Sequence, residues 1–212
     1  MTERSLLEAV QEALQAAPPR NFEETVELAV NLKDLDLSLP KNRVEDDIPL
    51  PKGRGKPVKV AVFGTPELIS KARGVADLTV SPEQMDEIFK DKRTSRKQVG
   101  QIDYFLAEAP LMPMIGKRLG QVLGPRGKMP RPLPPGTDPT PLIQALRRNV
   151  RVRSKGKRTF HVPVGTRGMP PADIAENVQT VLDRVMQKLE RGRANIDSVY
   201  LKTTMGPAVR VW

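Results

Sequence analysis

The 212-residue sequence contains no cysteine. Disulfides, thiolate metal ligands and thiolate nucleophiles are therefore excluded. Histidine occurs once, as His161, which excludes a two-histidine catalytic dyad and a histidine-rich zinc site. Aromatic residues make up only 4%, so ring stacking is a minor term in any binding event. No apolar run approaches the roughly 18–20 residues of a membrane-spanning helix. The opening MTERSLLEAV also lacks the basic-then-apolar order of a signal peptide. The expectation is a cytoplasmic protein with no membrane association, no metal and no cofactor. Carboxylates are plentiful, but no spacing singles out an acid/base pair, so no catalytic residue is assigned and the chain is not expected to be an enzyme.

What the sequence has is positive charge. Lys and Arg number 35 against 25 Asp and Glu, a formal net charge of +10. Such a balance attracts polyanions, and without membrane signals the expected partner is nucleic acid. Hydrophobic residues, at 38%, suffice for real cores in one large domain or two modest ones.

Hydrophobic periodicity orders the chain. Leu6, Leu7, Val10 and Leu14 recur at helical spacing in residues 5–16, with Ser5 and Glu8 placed as a capping box and Pro18-Pro19 as a stop. Residues 22–32 switch to period two: Val26, Leu28, Val30 and Leu32 share one face, and Thr25, Glu27 and Ala29 the other. Val44, Asp46, Ile48 and Leu50 predict a second strand, followed by PKGRGKP (51–57) as a flexible junction. Then the texture changes. VKVAVFG (58–64) is almost continuously apolar, as a strand covered on both sides would be. Helix and strand patterns alternate to residue 123, implying a small, mostly parallel sheet with helices on both faces. Residues 124–141 hold seven prolines and read as an irregular basic loop, followed by a helix at 142–150.

The half-buried texture then returns. Residues 150–165 read as a basic β-hairpin turning at Lys155-Gly156-Lys157. The longest helix, 171–191, buries Ile174, Val178, Val181, Leu182, Val185 and Leu189 and stops at Gly192. SVYLKTT (198–204) and AVRVW (208–212) close the chain as strands. Two similar outer segments around a different middle predict an α/β protein of two domains: residues 1–57 with 150–212, and an inserted 58–149.

Thr203-Thr204-Met205-Gly206-Pro207 is the strongest local feature. Gly206 permits backbone geometry or close approach that a side chain forbids, and the hydroxyls and methionine beside it can meet ribose and phosphate. An ordinary β-turn with a partly buried methionine is the plain alternative. Parity puts Ser198, Tyr200, Lys202 and Thr204 opposite Val199 and Leu201. If the terminal strands are neighbours, Thr25, Glu27, Ser198 and Thr204 share a polar face; a merely solvated face is the alternative. Phe22 is either a core anchor or a platform for a nucleotide. Arg151, Arg153, Lys155, Lys157 and Arg158 supply charge suited to phosphates or simply solvated. His161, in an alternating strand, reads as structural rather than catalytic. Gly124-Pro125-Arg126-Gly127-Lys128 lacks the full phosphate-loop pattern and is set aside.

Taken together, NFEETVELAVNL (21–32), LGPRGKMPRP (123–132), FHVPVG (160–165) and SVYLKTTMGPAVRV (198–211) resemble the ribosomal protein L1 family over essentially the whole chain, and NLKDLDLSLPKNRV (31–44) resembles its archaeal branch. The resemblance implies a split β-α-β domain from both termini, with an inserted Rossmann-like α/β domain. It implies binding to large-subunit rRNA at the mobile stalk of the ribosome, beside the exit site for deacylated tRNA, and repression of the protein's own mRNA. Off the ribosome it implies a monomer. At matching motif positions its RNA contacts fall on Phe22, Thr25, Glu27, Ser198, Thr204, Met205 and Gly206. Secondary candidates are Arg20, Arg153, Lys155, Lys157, Arg158, His161, Lys202, Thr203 and Pro207. Asn21 departs from the lysine of many bacterial members, leaving Arg20 as the phosphate partner there. Two alternatives stay open: a regulator acting mainly on mRNA, and a nucleotide-dependent enzyme using the middle region. The second needs a glycine loop after the first strand, where VFGTPEL offers only Gly64.

Overall fold

A computed structural model describes residues 5–88 and 92–212. The elements in chain order are α1 (Leu6–Ala16), β1 (Thr25–Leu32), β2 (Glu45–Pro49), β3 (Val60–Phe63), α2 (Pro66–Ala72), β4 (Leu78–Val80), α3 (Pro82–Ile88) and α4 (Lys92–Gln101). After them come β5 (Tyr104–Glu108), α5 (Met112–Leu123), β6 (Arg131–Leu133), α6 (Thr140–Arg148), β7 (Asn149–Arg153), β8 (Thr159–Thr166), α7 (Pro171–Lys188), β9 (Ile196–Thr203) and β10 (Val209–Arg210). Contacts divide the chain into two compact units, Met1–Lys56 with Arg148–Trp212, and Pro57–Arg147.

The discontinuous unit is built on a four-stranded sheet of order β10-β9-β1-β8. β1 lies antiparallel between β8 and β9, which are joined through α7, so the sheet is a β-α-β unit split by a strand from the other end of the chain. Its inner face carries Val26, Leu28, Val30, Val162, Val164, Val199 and Leu201, all buried beneath α1 and α7. Each such side chain contributes roughly 1.5–3 kcal/mol on leaving water. Ser5 caps α1 by accepting the Glu8 N–H at 3.2 Å. The buried face of α1 is Ala9, Val10 and Ala13; Leu7, expected in the stripe, is 42% exposed because it lies off the line through these positions. α7 buries the expected stripe and also Asn177. It ends at Lys188, four residues before the expected glycine stop, and Gly192 serves the following turn with φ 53°.

Three expectations for this unit change. First, β7 and β8 do not pair with each other. Lys155 and Gly156 do make the left-handed turn of a tight hairpin, with φ 50° and 78°. The arms then part: β7 pairs antiparallel with β2 and β8 with β1. The physical reason is the acid-rich β2, which draws Arg151 to Asp47 at 2.9 Å and Arg153 to Glu45 at 3.2 Å. Second, residues 149 and 150, read as helical, open β7. Third, the PKGRGKP segment is strapped down through Lys56. The buried Asn177 side chain accepts the Lys52 N–H and donates to the Gly53 carbonyl, and Lys56 Nζ donates to the Glu23 carbonyl at 2.8 Å.

The inserted unit has a parallel sheet of order β4-β3-β5-β6. Alternate residues of its strands feed opposite cores. Ala61, Phe63, Phe105 and Ala107 pack with Met85, Ile115 and Leu119, while Val60, Val62, Tyr104 and Leu106 pack with Leu68, Ile143 and Leu146. Covering on both faces explains the unbroken apolar runs. β6 corrects the reading of 124–141 as wholly irregular: Arg131-Pro132-Leu133 add a strand to the sheet. Proline is tolerated there because β6 is an edge, where a missing N–H faces away from the ladder.

Candidate nucleic-acid interface

β1 brings the two ends of the chain together. Its register aligns Glu27 with Lys202 on one side and Pro163 on the other. Ala29 aligns with Tyr200 and His161, and Asn31 with Ser198 and Thr159. Residues opposite one another in a ladder face the same way, so these rows form the side of the sheet turned from α1 and α7. The side is polar and largely accessible: His161 and Thr159 are exposed, and Glu27, Asn31, Tyr200 and Lys202 half-buried. At its lower row Asn31 Nδ2 donates to Ser198 Oγ at 2.9 Å, and Thr159 Oγ1 donates to Asn31 Oδ1 at 2.7 Å. Ser198 is consequently buried rather than open.

The other end of the sheet carries the turn 203–207. Thr204 Oγ1 accepts the Thr25 N–H at 3.1 Å and lies 3.3 Å from the Thr25 carbonyl, so two residues 179 positions apart are joined directly. Thr25 Oγ1 accepts from Lys56 Nζ at 3.0 Å, and Lys202 Nζ donates to the Thr204 carbonyl at 3.4 Å. Gly206 does not need a left-handed φ. It needs to be small, because a Cβ there would run into Thr203 Oγ1 and sit 3.2 Å from Ala17 Cβ. Met205 is 57% and Phe22 51% exposed, so Phe22 is not a core anchor and the methionine is not tucked inward.

A buried carboxylate holds this turn. Glu24 is fully inaccessible. One of its oxygens accepts the Met205 N–H at 2.9 Å, and the other accepts from Arg167 Nη1 at 3.1 Å. Arg167 also donates to the carbonyls of Pro18 and Ala17, tying in the end of α1. The Met205 N–H foremost holds the Glu24 carboxyl below its ordinary range. Burial opposes it, and the Thr203 hydroxyl and Arg167 add to the depression. Neither Glu24 nor Arg167 was among the sequence candidates. Parity held the signal for the first: Glu24 has the phase of Val26 and Leu28, and a carboxylate on an apolar face requires a partner. Arg167 lies in a loop without periodicity and gave none.

The candidates therefore separate. Thr25, Glu27, Lys202, Thr203, Thr204, Met205 and Gly206 gather at one end of the sheet, with exposed Arg20, Phe22 and Pro207 on the flanking segments. Thr203 is buried, its hydroxyl accepting the Gly206 N–H at 3.0 Å. Ser198 and the basic turn stand at the far end, about six residues or ~20 Å along β1 at the rise of a strand. There Lys155, Lys157 and Arg158 are exposed and make no ion pair among the described residues, whereas Arg153 is engaged by Glu45. His161 Nδ1 lies 3.9 Å from Glu27. In the inserted unit, the buried Glu108 accepts both the N–H and the hydroxyl of Thr65 at the first strand-to-helix turn.

A basic α/β protein that offers the polar side of a split sheet, ending in a braced turn with exposed apolar tips, has the makeup of an RNA-binding protein. The sequence agrees: residues 13–207 match the ribosomal protein L1p/L10e family. The chain is 58% identical to the large ribosomal subunit protein uL1 of Thermoplasma acidophilum over 96% of its own length and 94% of that protein's. It is 49% identical to the protein of that name from Methanocella arvoryzae over the full length of both, and 48% identical to that of Archaeoglobus fulgidus over 97% and 96%. The chain belongs to the L1p/L10e family, and is a ribosomal protein rather than an enzyme.

Proposed function

We propose that this protein is a cytoplasmic component of the large ribosomal subunit that binds rRNA at the mobile stalk through the sheet end of its discontinuous unit. With that grip it assists release of deacylated tRNA from the exit site, and through the same surface it represses translation of its own mRNA. The observation that carries the reading is the Thr25–Thr204 junction. It unites both ends of the chain into one polar patch flanked by exposed Phe22 and Met205. Two large apolar side chains held open to water beside hydroxyls and cations suit the sugar faces and phosphates of a folded RNA.

Replacing Phe22 and Met205 together by alanine tests this, since neither supports the core. Affinity for a transcript of the stalk element, measured by filter binding, should fall by about tenfold or more, the effect of losing roughly 1–3 kcal/mol of buried apolar contact. Undiminished affinity would refute the site. Competition between the stalk transcript and the protein's own mRNA leader tests the repressor role: the two should displace one another.

A further inference from the structure

The inserted unit carries charge that its own fold does not use. α4 and α5 cover one face of its sheet, where Val99 of α4 and Ile115, Leu119 and Leu123 of α5 pack with Phe63 and Phe105. The opposite sides of both helices look away from the sheet. They bear Arg93, Arg96 and Lys97 on α4 and Lys117 on α5, all exposed. None of the four makes an ion pair among the described residues. Neither helix contains an aspartate or glutamate that could offer one. The helices on the other face of the sheet differ: Lys71 of α2 is held by Glu67 at 3.0 Å, and Arg147 of α6 lies 3.6 Å from Asp77. Arg93 also stands three and four residues from Arg96 and Lys97, spacings at which like charges oppose the helix that carries them. Cations that cost their own helix stability call for an anion outside the chain.

Two further features fit a broad partner rather than a small ion. Gly116 and Gly120 stand in the middle of α5, where each glycine costs roughly 0.8–1.0 kcal/mol against alanine. Packing does not require them: a Cβ at either would meet nothing within 4 Å, and the same holds for Gly100 near the end of α4. They leave bare backbone beside the cations, where a ligand can lie close. The layer is also tied together. Lys128, from the loop after α5, donates to the carbonyls of Val99 and Gly100 at 3.0 and 3.4 Å and to that of Ile102, closing the end of α4. Neither helix has an aromatic residue on which a base could stack, so recognition falls to the backbone of a nucleic acid. We propose that the outer surface of α4 and α5 is a second RNA-binding face, one that takes the backbone phosphates of structured RNA without regard to sequence. It uses no residue of the sheet end and stands apart from the reading of that site.

The test uses the full chain with Phe22→Ala and Met205→Ala in place, so that the sheet end is disabled, and a fully paired RNA duplex without the stalk element as probe. In that background, Arg93→Gln, Arg96→Gln, Lys97→Gln and Lys117→Gln together should lower affinity for the duplex by about tenfold or more at low salt. They should also reduce the slope of log affinity against log salt by about 2–3. A charge-matched control replaces the exposed Lys59, Lys71, Arg73 and Arg148 by glutamine and should change affinity by less than about threefold, since charges remote from a site are screened. The thermal midpoint of the first variant should stay level or rise, because repulsion within α4 is relieved; a fall would show that the four cations serve the fold, against the proposal. Equal losses in the two variants would mean that net charge alone draws RNA, and no loss in either would mean that this face does not bind it. Either result overturns the proposal. So would loss of binding to phosphatidylserine vesicles in the first variant with duplex affinity intact, which would assign the face to a membrane surface.

Discussion

At the scale of single residues, Glu24 matters most, although it is wholly hidden. A carboxylate removed from water persists as an ion only when donors surround it, and Met205, Thr203 and Arg167 supply them. Because its folded-state pKa is depressed, its contribution to stability is full above the ordinary glutamate range and disappears as pH falls through the depressed value. Wild-type unfolding midpoints should therefore drop in acid, and Glu24→Gln should show a lower midpoint at neutral pH with a shallower acid decline. An unchanged neutral midpoint, by thermal or urea unfolding, would show that the carboxylate holds nothing. Much of this neighbourhood was legible in the sequence. Alternation alone put Thr25, Glu27, Ser198 and Thr204 opposite the apolar positions, and the ladder register places Glu27 and Ser198 on the side of the sheet turned from α1 and α7. It gave less on accessibility, because Ser198 is closed over by an Asn31 bond that reaches across strands 167 positions apart in sequence.

At the scale of elements, reading succeeded where local pattern decides and failed where a distant partner does. α7 and the strands β1 and β9 follow from periodicity, since one side of each meets a core. The basic hairpin was misread because turn chemistry fixes only the turn. Which strand each arm joins is set by acids in β2, more than 100 residues upstream in the Arg151–Asp47 pair. A double-mutant cycle on Asp47→Ala and Arg151→Ala should give a coupling of about 1 kcal/mol, above the median for exposed pairs because both side chains are mostly covered. Zero coupling would mean the ion pair does not direct β7. β6 was missed for a different reason: proline content argues against a central strand but not against an edge.

At the scale of the whole molecule, the net charge of +10 is distributed rather than concentrated at the turn. Many of the cations are engaged internally, as Arg151, Arg153, Arg167 and Arg184 are. Lys155, Lys157 and Arg158 stay exposed at the far end of the sheet, a charge suited to phosphates. Affinity for the stalk transcript should consequently fall with salt. Replacing these three by glutamine should reduce the slope of log affinity against log salt by about 2–3, while Thr204→Val should weaken binding and leave the slope alone. An identical slope in the triple variant would remove the far end from the footprint. The change of texture at VKVAVFG has a simple reason: a sheet clad on both faces has little room for polar residues.

The Thr25–Thr204 junction also has a consequence in time. The strand that begins at Thr25 emerges early during synthesis, yet the hydroxyl that clasps it is added 179 residues later. At about 5–20 residues per second, that is a delay of roughly 10–35 s. During this interval a nascent chain carries half of a grip and cannot close it. The polar patch proposed as the RNA site is thus complete only once the chain has been read through to the turn that holds Thr204.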